Sequence, residues 1–315
     1  MLRQLLLAAQ GGFKTMIGGQ ALIEGIMMMG PDKKSMVARR ADGELEVKTE
    51  PRRLLKDRYP IVGIPLIRGV VNFGSSMYNG VQALMWSAEV SGEEEEVPAG
   101  EAGGEGLSGW VITLAMFLGL GMSILLFFFL PTLLGSFVRR FTDSMLWRNL
   151  AESCLKIVIF LLYLAACSRM KDMRRVFSYH GAEHKTIFCY EAGLPLTVEN
   201  VRKQPRHHPR CGTSFLFVVI IVSILVSTVV FAIRPVHNAF LRFAIHLVML
   251  PLIVGVSYEF NRWVGRSDGL LARVLTAPGL WLQNFTTFEP DDTMIQVGIK
   301  AFTEVLPEVE GTDCW

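Results

Sequence analysis

Residues 213–233 read TSFLFVVIIVSILVSTVVFAI, without a single charged side chain. A helix needs about 20 apolar residues to cross the hydrocarbon core of a bilayer, and this run has that length. Arg210 and Gly212 precede it and Arg234-Pro235 follow it, charged and helix-breaking residues of the kind that bound a span. Working outward, residues 108–130, 151–168 and 239–257 have the same character. In the 315-residue chain, 51% of residues are hydrophobic and the mean hydropathy is +0.37. The fold expected is therefore mainly α: a polytopic membrane protein with about four transmembrane helices, a small N-terminal β-hairpin region and a cytoplasmic loop carrying a metal site.

Charge sets the expected orientation, because basic loops stay in the cytoplasm. The connection between the second and third spans is dense in cations, among them Arg169, Lys171, Arg174, Arg175 and Arg206. Across the membrane only Arg139, Arg140 and Arg148, and then Arg234 and Arg242, count as loop charges, which places both termini in the cytoplasm. The opening MLRQLLLAAQGG is too short in its apolar run for a signal peptide. A net charge of +2 is too small to suggest nucleic acid as a partner, and the partners expected are membrane lipids, with a membrane-protein partner or a second copy of the chain beside them. Five cysteines without paired spacing argue against a disulfide framework.

The chain divides into 1–60, an N-terminal cytoplasmic region; 61–90, an amphipathic interfacial helix; 91–107, an acidic linker; 108–168, two spans; 169–212, the metal loop; 213–257, two spans; and 258–315, a C-terminal cytoplasmic amphipathic region. Asp42-Gly43 suits a tight hairpin turn between two short alternating strands. Residues 61–88 have helical apolar spacing interrupted by Arg68, Asn72, Asn79 and Gln82, better suited to the interface than to a fifth span. Near the end, TTFEPDD (286–292) supplies capping oxygens before an apolar stripe at Ile295, Ile299, Phe302 and Leu306, the pattern of a closing amphipathic helix.

The loop between the second and third spans carries the chemistry. Residues 170–192 lack proline and stop at Gly193 with Pro195 beyond, so they read as a helix. Within it HGAEH puts His180 and His184 four apart on one face, with Glu183 beside the second. H-x-x-E-H is the order of inverted zinc peptidases, in which the carboxylate is the base. Downstream, HHPRCG places His208 three residues before Cys211, and imidazole with thiolate suits zinc. The expected ligands are His180, His184, His208 and Cys211, with His207 the alternative to His208 and Glu183 the catalytic residue. The plainer reading is a basic loop on anionic headgroups, which needs neither the helical pair nor the thiol. Four ligands would close the site and make it structural, whereas three would leave room for a water that Glu183 can deprotonate.

Other polar residues invite plainer roles. Glu191 is too far along the helix to share the ion and reads as solvated or as supporting a ligand. His246 is the ionisable residue that stands out within the spans, expected to bond helix to helix. Glu259 and Arg262, three apart, are expected to pair. Met27, Met28 and Met29 read as packing.

Five blocks, GGQALIEGIMMMGP (18–31), YHGAEHKTI (179–187), LTVENVR (196–202), HPRCGTSF (208–215) and TTFEPDD (286–292), resemble the YqhQ-like family of bacterial integral membrane proteins. The resemblance implies a multi-pass protein of the bacterial cell membrane, in a family of unknown function often described as predicted metal-dependent enzymes. It also implies that His180, Glu183, His184, His208, Cys211, Gln20, Glu24 and Glu259 are motif positions. Met29 stands where the family commonly has arginine.

The function expected is a zinc-dependent enzyme, a hydrolase, acting at the cytoplasmic membrane face. The alternative is a non-enzymatic scaffold or accessory protein for membrane-protein or lipid handling, with a structural metal. A transporter is disfavoured because His246 alone stands out as ionisable in the spans.

Overall fold

The computed structural model describes residues 14–52, 59–92, 109–141, 144–267, 269–308 and 312–313. The N-terminal run 1–13 and nearly all of the acidic linker lie outside the described residues. The chain forms two compact units, one of Met1–Glu94, Ala166–Val218 and Val254–Trp315, the other of Glu95–Ala165 and Val219–Ile253.

The first unit is built on a four-stranded antiparallel sheet of β1 (Gly18–Leu22), β2 (Gly25–Met29), β3 (Lys33–Arg39) and β4 (Leu45–Pro51), in sequence order. The hairpin expected at Asp42-Gly43 is β3–β4, with Gly43 at φ +91°. A second hairpin, β1–β2, turns through Ile23-Glu24, where Glu24 takes φ +48°. Its strands escape an alternation test because β2 is covered on both faces. Ile26 and Met28 pack with Tyr179, Ala182, Val297 and Phe302, while Met27 packs on the other face with Leu22, Met36 and Ala83. The methionine run is therefore core packing.

Two helices cover the first face: α5 (Lys171–Glu191) and α10 (Asp292–Glu304). Both follow the expected signals. Gly193, at φ +66°, stands just past the end of α5. Asp291 caps α10 by accepting from Met294 N at 2.9 Å. The opposite face carries α1 (Ile67–Ser91), the expected amphipathic helix. Its buried positions are small, Gly69, Gly80, Ala83, Ser87 and Ser91, while Ile67, Met77, Tyr78 and Met85 are exposed. That reverses a soluble helix and fits an interfacial one. Glu259 pairs with Arg68 of α1 rather than chiefly with Arg262, because helix packing brings a guanidinium closer than the intrahelical neighbour.

Four described helices are long and apolar enough to cross a membrane, and α1 is not among them. The first combines α2 (Gly109–Ile124), a wide π turn (Leu125–Phe129) and α3 (Leu130–Ser136). Pro131 supplies the reason for the wide turn: it lacks an N–H and its ring crowds the carbonyl one turn back. The others are α4 (Met145–Cys167), α7 (Gly212–Ile233) and α8 (Ala239–Arg266), the last continuing well beyond the expected end at residue 257.

Within the second unit the spans are not as apolar as a hydropathy average suggests. Arg148, Asn149, Glu152 and Lys156 of α4 and Arg242 and His246 of α8 are all buried. This corrects the sequence reading, in which His246 alone stood out and Arg148 and Arg242 were counted as loop charges. His246 Nδ1 donates to the Arg242 carbonyl (2.9 Å), leaving Nε2 to accept from Lys156 Nζ at 3.0 Å, so the expected helix-to-helix bond is present. The remaining short helices, α6 (Val198–Arg202) and α9 (Leu270–Thr286), belong to the first unit.

Candidate metal centre

Helix α5 can present its HGAEH turn to the rest of the first unit because Gly181 lets another segment lie against it. A β-carbon there would run into the Phe288 carbonyl oxygen, and the Phe288 amide donates to the Phe177 carbonyl at 3.0 Å. The TTFEPDD segment is thus strapped across α5, and the strap brings the Thr286 carbonyl onto His180.

Each histidine is fixed by the nitrogen that faces away from the site. His180 Nδ1 lies 2.8 Å from the Thr286 carbonyl oxygen, and His184 Nδ1 lies 2.6 Å from that of Arg206. A carbonyl only accepts, so both rings carry their proton on Nδ1 and offer an Nε2 lone pair. That is the orientation by which a backbone carbonyl readies an imidazole for a metal. His180 Nε2 lies 3.1 Å from Cys211 Sγ, and His184 Nε2 is buried with no hydrogen-bond partner. One donor atom from each of His180, His184 and Cys211 falls within 4.8 Å of the other two.

The electrostatics suit cation binding. Burial drives the His184 imidazole down to about 4, so it is neutral. Burial raises the Cys211 thiol, but the His184 imidazole and hydrogen bonds from Thr213 outweigh that and hold it below its ordinary value. Thr213 N donates to Sγ at 3.4 Å.

Glu183 completes the arrangement. One carboxylate oxygen accepts from Gly19 N at 2.9 Å, an approach that needs glycine, since a β-carbon would stand 2.6 Å from the Met27 carbonyl oxygen. Its other oxygen, Oε2, is buried without a hydrogen-bond partner. Burial lifts the carboxyl to about 7, with the Cys211 sulfur adding to the rise and His180 opposing it.

The structure groups three of the four expected ligands. His208 stands beside His184, with ring centroids 5.6 Å apart, but its Nε2 faces Glu191 at 3.5 Å. Glu191 is not solvated: it also accepts from Thr15 N at 2.9 Å and pairs with Arg210. His207 lies outside the group as well, with a buried Nε2 that lacks a hydrogen-bond partner. Gln20 sits against Gly80 of α1. Glu24 binds Arg175 and accepts from the Tyr179 hydroxyl at 3.1 Å, anchoring the β1–β2 turn to α5.

Sequence reasoning missed Gln283 of α9. Its amide oxygen accepts from His208 N and its amide nitrogen donates to the His208 carbonyl, both at 2.8 Å, which fixes the turn leading to Cys211. A lone glutamine in an amphipathic helix carries no signal of that role.

The profile of a family described as "Protein of unknown function (DUF1385)" matches residues 64–308, which include His180, Glu183, His184 and Cys211. The chain is 36% identical over 298 residues to a Bacillus subtilis protein described as "Uncharacterized protein YqhQ", a match covering 92% of each chain. No solved structure matches the chain.

Proposed function

This chain belongs to the DUF1385 family, and from that footing we propose that it is a zinc-dependent hydrolase of the bacterial cell membrane, with both termini and the metal centre on the cytoplasmic side. The observation that carries the proposal is the pair of imidazoles held by carbonyls at Nδ1, with Nε2 of each turned toward one thiol and an unpartnered Glu183 oxygen nearby. His180, His184 and Cys211 would hold the ion. The buried His184 Nε2, left without a hydrogen-bond partner, fits such a cation, since an orphaned polar group is otherwise costly. When bound there, zinc would supply a Lewis acid and lower the pKa of a water at its open position.

The chain's own residues supply the rest. Glu183, fixed by Gly19 N, takes a proton through Oε2 and returns it to a leaving group. A set of three protein ligands favours catalysis over the structural alternative, because structural zinc closes its tetrahedron with four. The substrate class is a membrane-associated lipid or peptide. Leu270, Leu271, Val274 and Trp281 of α9 are exposed, and the same helix carries Gln283 and Thr286 into the centre. An apolar helix face that begins just past a span is suited to the headgroup layer.

The test is metal analysis of the detergent-purified chain together with complementation of a strain lacking the gene. Glu183→Gln should keep zinc and lose cellular function. Function intact with zinc present would remove Glu183 from catalysis and return the centre to the structural, scaffold reading.

A further inference from the structure

Strand β1 stands at an edge of the sheet, and the register says which of its backbone groups face outward. Gly30 N donates to the Lys33 carbonyl at 2.9 Å and Arg39 N to the Glu24 carbonyl at 2.8 Å, so an even-numbered residue at either end of β2 bonds to the β3 side. Bonding alternates along a central strand, which turns Ile26 and Met28 to β3 as well and leaves Gly25, Met27 and Met29 to bond β1 at Leu22, Gln20 and Gly18. The N–H and C=O groups of Gly19 and Ala21 therefore point away from the sheet. The bond from Gly19 N to Glu183 has that direction.

Outward edge groups are a template for another chain, and proteins usually cover them. Three N–H groups along this line are covered: Ile17 N by Thr15 Oγ1 at 3.1 Å, Gly19 N by Glu183 at 2.9 Å and Ile23 N by Ser87 Oγ of α1 at 3.3 Å. Ala21 lies between the last two, and among the described residues nothing takes its N–H or its carbonyl. Residues 18–21 are partly exposed, and a β-carbon on Gly18 would meet nothing within 4 Å. The open rung is two residues, about 7 Å, from Gly19, whose amide holds Glu183 at the metal centre.

We propose that β1 binds an extended polypeptide by strand addition at Ala21, so that the substrate is a peptide and not a lipid. The inference rests on the hydrolase reading and narrows its substrate class. A peptide backbone carries both an acceptor for the Ala21 N–H and a donor for the Ala21 carbonyl, whereas a lipid ester linkage only accepts. A strand paired at Ala21 runs on past Gly19 and brings its next carbonyls toward Glu183 and the group of His180, His184 and Cys211. Hydrolysis there joins a water oxygen to the peptide carbonyl carbon and breaks the C–N bond, with Glu183 carrying the water proton to the departing amine.

The experiment uses the zinc-loaded full chain in detergent, with β-casein, an unfolded polypeptide, as the probe. Glu183→Gln keeps an acceptor for Gly19 N and removes the proton carrier, so binding is read without cutting. In that variant β-casein should slow amide exchange of the segment holding Ala21 by about tenfold, read by mass spectrometry, and phosphatidylglycerol should not. Ala21→Pro deletes the outward N–H without touching the β1–β2 ladder and should weaken β-casein binding by about tenfold. Its zinc content and Tm report whether the fold survives; if it does not, the exchange result decides alone. β-Casein that protects Ala21 yet is left uncut by wild type would keep the strand site and retire the hydrolase reading. Absence of protection by β-casein would overturn the proposal, whether wild type cuts phosphatidylglycerol instead, which keeps the hydrolase reading, or a second copy of the chain already covers β1, seen as protection that grows with protein concentration.

Discussion

Glu152 and Glu183 are both buried carboxylates on helices, and they are treated in opposite ways. Glu152 has both oxygens engaged, by Thr132, Lys156 and Arg242. Glu183 has one oxygen tied to Gly19 N and the other left without a partner. A satisfied buried carboxylate holds helices together, whereas one with an open oxygen keeps a lone pair for chemistry. The same contrast runs through the histidines. His246 is bonded through both nitrogens, while His184 is fixed through Nδ1 and open at Nε2.

Substitutions can break that contrast, and the largest effect is expected at the ligands. Cys211→Ala should abolish metal retention, since a Cys-His-His set that loses its thiolate leaves two imidazoles, too few to hold zinc; elemental analysis reads this directly. Glu152→Ala should destabilise the second unit by about 3–5 kcal/mol, because it strands buried cations, and thermal unfolding would show it while metal content stays unchanged. Should Glu152→Ala empty the metal centre, the division of roles between the two carboxylates would fail.

Smaller effects sharpen the comparison. Gly181→Ala should cost about 3 kcal/mol by driving a β-carbon into the Phe288 carbonyl, and should weaken metal binding by displacing the Thr286 strap from His180. Gln283→Ala leaves the His208 amide and carbonyl without their side-chain partner, a loss of about 1–3 kcal/mol. Its signature is slower refolding of the metal-bound form or a lower Tm, with zinc still present at saturating concentration.

The spans were legible in sequence because lipid imposes one simple rule, a long apolar run. Helix α5, the β3–β4 hairpin and the cap of α10 were legible too, each announced by a local residue: Gly193, Gly43 and Asp291. What escaped was set by tertiary context. Strand β2 is buried on both faces and so does not alternate. Arg148 and Arg242 sit in the first turns of their helices, where a window average hides a charge. At the centre, His180, His184 and Cys211 could be picked out from residue type and spacing, but the tautomers of the two imidazoles are set by the backbone carbonyls of Thr286 and Arg206, which leave no trace in side-chain identity. His208 has the right chemistry and spacing, yet Glu191 and Gln283 engage its ring and its backbone, partners that proximity along the chain does not reveal.

The central claim is that three residues, and not four, supply the protein ligands of one zinc ion beside Glu183. X-ray absorption at the zinc edge on detergent-purified wild type and His208→Ala tests it most directly. The account predicts about one zinc per chain, with one sulfur and two imidazole ligands from the protein, in a spectrum unchanged by His208→Ala. A chain that binds no zinc, or a spectrum in which an imidazole is lost with His208, would contradict it.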